Sequence, residues 1–315
     1  MGALWRFWNS GANRTEGGAY MATEPLGPQA EAESGHPAEW VNRDGLTAGV
    51  GKRRILLTVS YDGTAYAGWQ RQLNAMTVQQ RLEEALRKLT GETVSFMGAS
   101  RTDAGVHALG QRAHFDTDCH IPADRFPNAM NTCLPSDIRV LEGREVNGCF
   151  HARFDARGKQ YVYRIHNSRQ ASALYRNLTA FVPVPLDGEA MRRALPDILG
   201  THDFAAFQAS GGTAKTTVRT LHTATLAQEG CEFTLTLRGN AFLYNMVRII
   251  AGTLVEIGKG KLPETVFRTA LETGDRLVLG PTAPACGLEL TRVFYAWELP
   301  DGDGGTAANQ AKPSA

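Results

Sequence analysis

The run ASRTDAGVHALGQR at residues 99–112 places an arginine, a hydroxyl and a carboxylate at Arg101, Thr102 and Asp103, and a glycine at Gly105. An ionised aspartate is a competent nucleophile if it stays charged while partly desolvated, and a nearby guanidinium favours that charged form. Residues two apart on an extended backbone point to the same side, and glycine permits a sharp bend. The run therefore indicates either a loop that presents a carboxylate to a substrate or, more commonly for this spacing, a structural salt bridge in a solvated turn.

Composition limits the class of protein. Hydrophobic residues make up 43% and charged residues 21% of the 315 positions, which is typical of a globular protein rather than a fibrous or disordered one. The longest apolar candidate, AFLYNMVRIIAGTLVEIG at residues 241–258, contains Arg248 and Glu256, so we predict no membrane span. Five scattered cysteines without a C-x-x-C pair indicate neither a disulfide framework nor a zinc site. We expect a cytoplasmic protein.

The two ends of the chain differ from its body. Residues 1–50 are rich in Gly, Ala, Pro and Glu without periodicity, and residues 299–315 are small and polar, so both are predicted to be disordered. The first segment fits neither an organellar transit peptide nor a secretory signal. Between the two ends lie 29 basic and 24 acidic residues, a net charge of +5. That modest excess suits a nucleic-acid binder, although many enzymes of small anions resemble it.

Hydrophobic periodicity predicts alternating strands and helices in the body. RRILLTVSYD is typical of a strand, and TVQQRLEEALRKLTG of a helix with a capping box at Thr77 and Gln80 and a stop at Gly91. ADRFPNAMNTCL reads as a weak helix that Pro127 interrupts. The order of strand, helix, two strands, helix, strand occurs twice, which predicts an α+β fold of two ferredoxin-like subdomains that share a largely antiparallel sheet with a central active-site cleft. We place the N-terminal catalytic subdomain at residues 51–168 and the C-terminal one at 169–298.

The segment RTDAGVHA at residues 101–108 resembles the signature of the tRNA pseudouridine synthase A (TruA) family. Other stretches agree with that family in order and content, from about Ile55 to Trp297. They are Tyr61-Asp62-Gly63 with Gly68–Gln72, the segment FHARFDARGKQYVYRI, Gly200–Phe204, NAFLYNMVRIIAGTLVEIGKG, and Gly287-Leu288. The sequence departs from the usual motif in one place, because Ala99-Ser100 precedes Arg101 where a glycine is expected. Serine adopts strongly positive φ only at a cost, so this position questions the loop geometry.

The resemblance implies a chemistry that needs no cofactor and no metal. Pseudouridine formation breaks the bond between uracil N1 and the ribose, turns the base over and rejoins it through carbon 5. Asp103 would be the nucleophile, towards either the ribose C1′ or the uracil ring. Arg101 and Arg248 would be its cations, and Tyr161 would lie against the uracil and assist removal of the proton at carbon 5. Without the resemblance, Tyr161 reads as an ordinary strand residue and Arg248 as a helix arginine that extends from an apolar face.

The remaining site residues implied by the resemblance would contact the substrate. Leu288 would pack on the base, although a core leucine is the commoner meaning of such a residue. Arg71, Lys215 and Arg219 would contact RNA phosphates, although each is equally explained as a solvated surface charge. His202, like His107, would have a structural or RNA-positioning role, because no metal-ligand spacing links the two histidines.

The resemblance also implies partners. Family members act on tRNA, with uridines at tRNA positions 38 to 40 in the anticodon stem-loop as the expected targets, and the bacterial enzymes are homodimers that carry one tRNA across both subunits. Two alternatives stay open: a synthase that acts on other tRNA positions, and a non-catalytic RNA-binding or RNA-folding protein on the same scaffold. An aspartate-nucleophile glycosidase would need a second carboxylate. Asp155 is the nearby acidic residue in a matched motif, and nothing in the sequence pairs it with Asp103.

Overall fold

The computed structural model describes residues 48, 49 and 51–298; the two predicted disordered ends otherwise lie outside the described residues. The helices are α1 (Val78–Thr90), α2 (Phe126–Asn131), α3 (Gly188–Ala194), α4 (Met246–Gly258) and α5 (Val266–Thr273). The strands are β1 (Arg53–Tyr61), β2 (Met97–Gly98), β3 (His107–Thr117), β4 (Ile138–Val146), β5 (Gly158–Asn167), β6 (Ala180–Val182), β7 (Gly200–Asp203), β8 (Val218–Glu229), β9 (Glu232–Gly239) and β10 (Leu288–Phe294).

The strands form one sheet in the order β4-β1-β3-β10-β5-β9-β8-β7, with β2 on β3 and β6 on β5. Neighbouring strands run antiparallel except for β3 with β10 and β5 with β6. The prediction of an α+β protein with a largely antiparallel sheet is confirmed.

The sheet consists of two similar halves. When the short strands β6 and β7 are set aside, the orders β4-β1-β3-β2 and β10-β5-β9-β8 each place a fourth, first, third and second strand side by side, as the repeated element order predicts. The parallel pair β3 and β10 joins the halves, with Glu289 opposite His107. Strands from both halves therefore meet in the middle of the sheet. The predicted division into subdomains at residue 168 stays a prediction.

Helix α1 forms where the periodicity predicts it. Thr77 accepts a hydrogen bond from the Gln80 amide at 3.3 Å, and Gly91 ends the helix in the left-handed conformation with φ of 79°. Only half of the predicted capping box exists, because the Gln80 side chain donates to Glu84 instead of turning back to the cap. The weak helix predicted around Pro127 is divided there: a 3-10 turn spans Ala123–Arg125, and α2 begins at Phe126 with Pro127 in its first turn, where a missing N–H is tolerated.

Helix α4 is buried on nearly all sides, as its apolar sequence requires. It begins at Met246, five residues later than the apolar run does, because Asn245 adopts a left-handed conformation with φ of 61°. Asparagine tolerates this conformation better than most residues. The late start leaves Arg248 in the first turn of the helix. No helix among residues 51–298 is long and apolar enough to cross a membrane, and the cytoplasmic location stays a prediction.

The segment that follows β1 supports the loop between β2 and β3. The Trp69 amide donates to the Thr102 carbonyl at 3.0 Å, the Gly105 amide donates to the Tyr66 carbonyl at 3.2 Å, and the Gly63 amide donates to His107 Nδ1 at 3.0 Å. Gly68, with φ of 88°, lies so close to this loop that a Cβ atom would stand 2.5 Å from the Thr102 carbonyl oxygen. The loop carrying Asp103 is thus fixed by backbone contacts that need glycine.

We predict that Gly68→Ala lowers the free energy of unfolding by about 3 to 5 kcal/mol, because it combines backbone strain with a steric clash. Gly91→Ala is the matched control, since Gly91 also has positive φ but open space around its Cβ position, and it should cost only about 1 kcal/mol. Urea denaturation of both variants measures the difference. Equal losses would show that the approach of Gly68 to the Asp103 loop contributes nothing.

Candidate active site

A cleft of about 760 Å³ opens where the two halves of the sheet meet. Its walls come from the Asp103 loop, from β5, from residues 211–215 with Arg219, and from the chain leading into α4. The cleft brings together most of the residues singled out from the sequence: Arg101, Asp103, Tyr161, Lys215, Arg219 and Leu288. Residues nearly 190 positions apart therefore share one site.

Asp103 is the carboxylate of the cleft, and its side chain is one-quarter exposed. Its Oδ2 lies 3.8 Å from Nη1 of Arg248, and this ion pair bridges the two halves of the sheet. Burial raises the pKa of Asp103 above its ordinary value, while the positive charge of Arg248 acts in the opposite direction. Burial has the larger effect, so the carboxylate takes up a proton more readily than an exposed aspartate does.

The Arg248 guanidinium is held in place by other bonds. Its Nε donates to the Ala283 carbonyl at 2.7 Å, and its Nη1 donates to Asn245 Oδ1 at 2.9 Å. Asn245 therefore has two functions: its left-handed backbone starts α4, and its side chain orients the arginine. An arginine amid apolar neighbours needs partners of this kind, because an unpaired buried charge is costly.

Arg101 lies in the cleft but not in an ion pair with Asp103. Its side chain is exposed, and among the described residues it forms no salt bridge. It lies instead near Arg153, whose pKa is lowered by burial and by the charge of Arg101. The intervening Thr102 points inward, with its hydroxyl 2.7 Å from the Tyr61 hydroxyl. The structure thus assigns the position beside Asp103 to Arg248, and a catalytic role for Arg101 stays a prediction.

Ser100, the departure from the usual motif, is accommodated without strain. It is buried, and the Gln111 side chain pairs with both its amide, at 3.1 Å, and its carbonyl, at 2.7 Å. Among described residues other than glycine, positive φ occurs at Asn245, so Ser100 does not need the conformation that favours glycine. The geometric concern raised by this position therefore disappears.

Tyr161 and Leu288 form an apolar wall of the cleft. Tyr161 lies on β5 and is 9% exposed, with its ring edge-on to Phe242 at 5.0 Å between centroids. Burial raises the pKa of Tyr161 to about 12, and the Asp103 charge adds to this shift. The hydroxyl consequently stays protonated at neutral pH. Leu288 begins β10 beside Tyr163, so both side chains are fixed by neighbouring strands.

Two predicted contacts lie elsewhere. Arg71 is exposed and pairs with Glu83 on α1, and His202 on β7 donates from Nε2 to the Leu199 carbonyl at 2.6 Å. Neither residue lines the cleft, so their RNA contacts stay predictions. His107 is buried and accepts a hydrogen bond from Gly63, which is a structural role.

Lys159 is a basic residue of the cleft that the sequence analysis did not predict, as is Arg153. Its Nζ donates to the Ala99 carbonyl at 2.7 Å, at the base of the Asp103 loop. Burial, together with the charges of Arg153 and Arg219, lowers the pKa of Lys159 to about 8. Strand alternation offered the signal, because Lys159 and Tyr161 are two residues apart on β5 and share a face.

A group of potential metal ligands lies outside the cleft. Donor atoms of His166, Cys231 and Glu232 lie within 4.8 Å of one another at the end of the β5 and β9 pair. His166 Nδ1 is hydrogen-bonded to Glu232, so the two residues already satisfy each other. None of these residues lines the cleft.

Comparison with known proteins identifies the family. The profile of the family described as tRNA pseudouridine synthase matches residues 57–155 and 194–296. The chain belongs to this family. The matched ranges include Asp103, Arg248 and Leu288, whereas Tyr161 lies between them.

Three relatives, all named tRNA pseudouridine synthase A, illustrate the similarity. The one from Acetivibrio thermocellus is 51% identical over 243 residues, which are 77% of this chain and all of the relative. The one from Ruminiclostridium cellulolyticum is 49% identical over 77% of this chain and all of the relative. The one from Halalkalibacterium halodurans is 48% identical over 75% of this chain and 90% of the relative. The resemblance stated from the motifs is confirmed, and the chain is an enzyme of the RNA-uridine isomerase class.

We predict that Arg248→Met moves the acidic limb of the pH profile of kcat/KM to higher pH. Removing the guanidinium leaves burial unopposed, so the pKa of Asp103 rises and the ionised form is lost earlier as the pH falls. At pH 7 we expect kcat/KM to fall about 100-fold. Arg248→Lys keeps the charge and should move the limb less. An acidic limb at the same pH in all three proteins would contradict this account.

Proposed function

We propose that this tRNA pseudouridine synthase isomerises uridine with Asp103 as its nucleophile. The observation that carries the proposal is the position of Asp103, a partly buried carboxylate 3.8 Å from a fixed guanidinium in a cleft that is otherwise basic. A carboxylate placed only for stability would not need a site where burial opposes its charge. Arg248 keeps enough of it ionised to attack.

The reaction balances without a cofactor. Attack by an Asp103 oxygen on the ribose C1′ would break the bond to uracil N1 and release the base as an anion. After rotation, carbon 5 would attack C1′ and release the carboxylate, carbon 5 would lose its proton, and N1 would gain one. Attack on the uracil ring instead would tether the base during the same exchange. Both routes use the same groups.

Tyr161 and Leu288 would hold the uracil between an aromatic face and an aliphatic side chain. Such contacts replace the stacking that a base loses when it leaves an RNA helix. Because the pKa of Tyr161 is raised to about 12, its phenolate is scarce at neutral pH. The hydroxyl is therefore suited to donate a hydrogen bond in the resting site, and its help in removing the carbon 5 proton stays a prediction.

A cleft of about 760 Å³ accommodates one everted nucleotide rather than a duplex, so a uridine in a stem must flip out to be reached. From the resemblance we propose the anticodon stem-loop, at tRNA positions 38 to 40, as the target. Other tRNA positions are the alternative, because the cleft would accept a flipped-out uridine whatever its position in the tRNA.

By the same resemblance we propose a homodimer that binds one tRNA across both subunits. Several large apolar side chains between residues 174 and 181 are exposed and would suit a covered surface: Leu174, Tyr175, Leu178 and Phe181.

The test is release of tritium from tRNA labelled at uridine carbon 5. We expect release by the wild type, and a rate at least about 10⁴-fold lower for Asp103→Asn with tRNA binding retained. Asp118→Asn, which changes an exposed carboxylate outside the cleft, is the control and should match the wild type.

Other outcomes separate the alternatives. Tight binding without release by the wild type would favour a non-catalytic RNA-binding protein, and free uracil in the supernatant would indicate a glycosidase. Full activity of Asp103→Asn would exclude this residue as nucleophile. Mapping of pseudouridine along the product tRNA would test the anticodon positions separately from the chemistry.

A further inference from the structure

The basic side chains that line the cleft outnumber the acidic ones. Five basic side chains line it, Arg101, Arg153, Lys159, Lys215 and Arg219, and Asp103 is the acidic one among the described lining residues. Within residues 51–298, none of the five basic residues forms a salt bridge, and Asp103 is paired with Arg248. Among the described residues of the cleft, these basic groups are therefore available to an anion from outside the protein.

Lys159 has the strongest requirement of the five. Its ammonium donates one hydrogen bond, to the Ala99 carbonyl, which leaves two N–H groups for other acceptors. Arg153 and Arg219 lie close enough for their charges to disfavour its protonated form. A partly desolvated ammonium near two guanidinium groups is unfavourable without an anion, and a bound anion would offset that cost.

Arg219 supplies an independent observation. Its Nη1 donates to the Val218 carbonyl at 2.6 Å and to Thr216 Oγ1 at 3.2 Å, which fixes the guanidinium against its own loop. Its Nε is buried and has no hydrogen-bond partner among the described residues. A buried donor without an acceptor is costly, and an oxygen from a ligand would satisfy it.

The position of these cations relative to Tyr161 identifies the ligand. Lys159 and Tyr161 project from the same face of β5, about 6.6 Å apart along the strand. Tyr161 is proposed to contact the uracil, so an anion at Lys159 would belong to the same nucleotide or to its neighbour. In RNA the anion at that distance is a phosphodiester.

We propose that Lys159, Arg153 and Arg219 form a phosphate subsite that binds a phosphodiester flanking the target uridine. Two guanidinium groups and one ammonium provide the charge-assisted hydrogen bonds that phosphate oxygens accept. Because Lys159 also holds the Ala99 carbonyl, phosphate binding is linked to the base of the Asp103 loop. The choice of RNA as ligand rests on the proposed function.

The first test measures how salt affects binding of a tRNA transcript to the wild type, Lys159→Met and Lys159→Arg. Each lost phosphate contact lowers the slope of log K against log salt by about 0.7 to 0.9. We expect that reduction for Lys159→Met, with about tenfold weaker binding at low salt, and recovery of both quantities in Lys159→Arg. Lys88→Met, which removes an exposed lysine of α1 outside the cleft, should keep the wild-type slope.

The second test uses pH. A phosphodiester favours protonated Lys159, whose pKa is about 8 in the free protein, so wild-type affinity should weaken as the pH rises above that value. Lys159→Arg stays charged and should not show this loss between pH 7 and 9. Parallel pH profiles of the two proteins would overturn the assignment of Lys159 to the phosphate.

Tritium release from the same preparations separates this proposal from the proposed function. Wild-type affinity and salt slope in Lys159→Met would overturn the subsite even if release fell, because a purely structural role through Ala99 would lower kcat alone. A reduced slope with no release by the wild type would support the subsite and overturn the catalytic function.

Discussion

The site depends on one balance: burial raises the pKa of Asp103, and the Arg248 guanidinium 3.8 Å away partly offsets that effect. A fully exposed aspartate would be ionised but strongly hydrated, and a buried one without a cation would be neutral. Asp103 lies between these limits, because it is partly buried and has a cation beside it. Burial and the Arg248 charge thus act in opposite directions on the pKa of Asp103. The reactivity of the carboxylate is therefore sensitive to small movements of Asp103 or Arg248.

The fold provides this balance by joining two similar halves. Asp103 precedes β3 in the first half, and Arg248 follows the start of α4 in the second, so the ion pair forms only when the central strands β3, β10 and β5 align. Gly68 and Gly105 allow the backbone of the loop to pack closely, and Asn245 starts α4 where the guanidinium can reach the cleft. Stability and chemistry thus rely on the same contacts.

Much of this could be predicted from the sequence. Periodicity and capping residues placed α1 correctly, and the repeated element order anticipated the sheet of two similar halves. Local sequence patterns did not predict the parts of the site that depend on contacts between distant segments of the chain. Arg101 is close to Asp103 in sequence, yet Arg248 from the other half is the cation beside it. Proximity in the chain does not fix side-chain direction in a loop, because Thr102 turns inward towards Tyr61.

Lys159 was missed by the sequence analysis for a different reason. Its position two residues before Tyr161 gave a signal, but its importance depends on Arg153 and Arg219, which arrive from other segments. Ser100 appeared to question the loop geometry, whereas Gln111, eleven residues along the chain, satisfies its backbone. Charge clusters and buried polar pairs are properties of the assembled cleft, so neither could be predicted from spacing alone.

The most direct measurement of the central claim is the titration of the Asp103 carboxyl group itself. Carbon-13 NMR of protein labelled at aspartate carboxyls, with the signal assigned through Asp103→Asn, gives its pKa in the wild type and in Arg248→Met. The account predicts a value above the ordinary 3.8 in the wild type and a still higher value without the guanidinium. A value at or below 3.8, or one that Arg248→Met leaves unchanged, would contradict it.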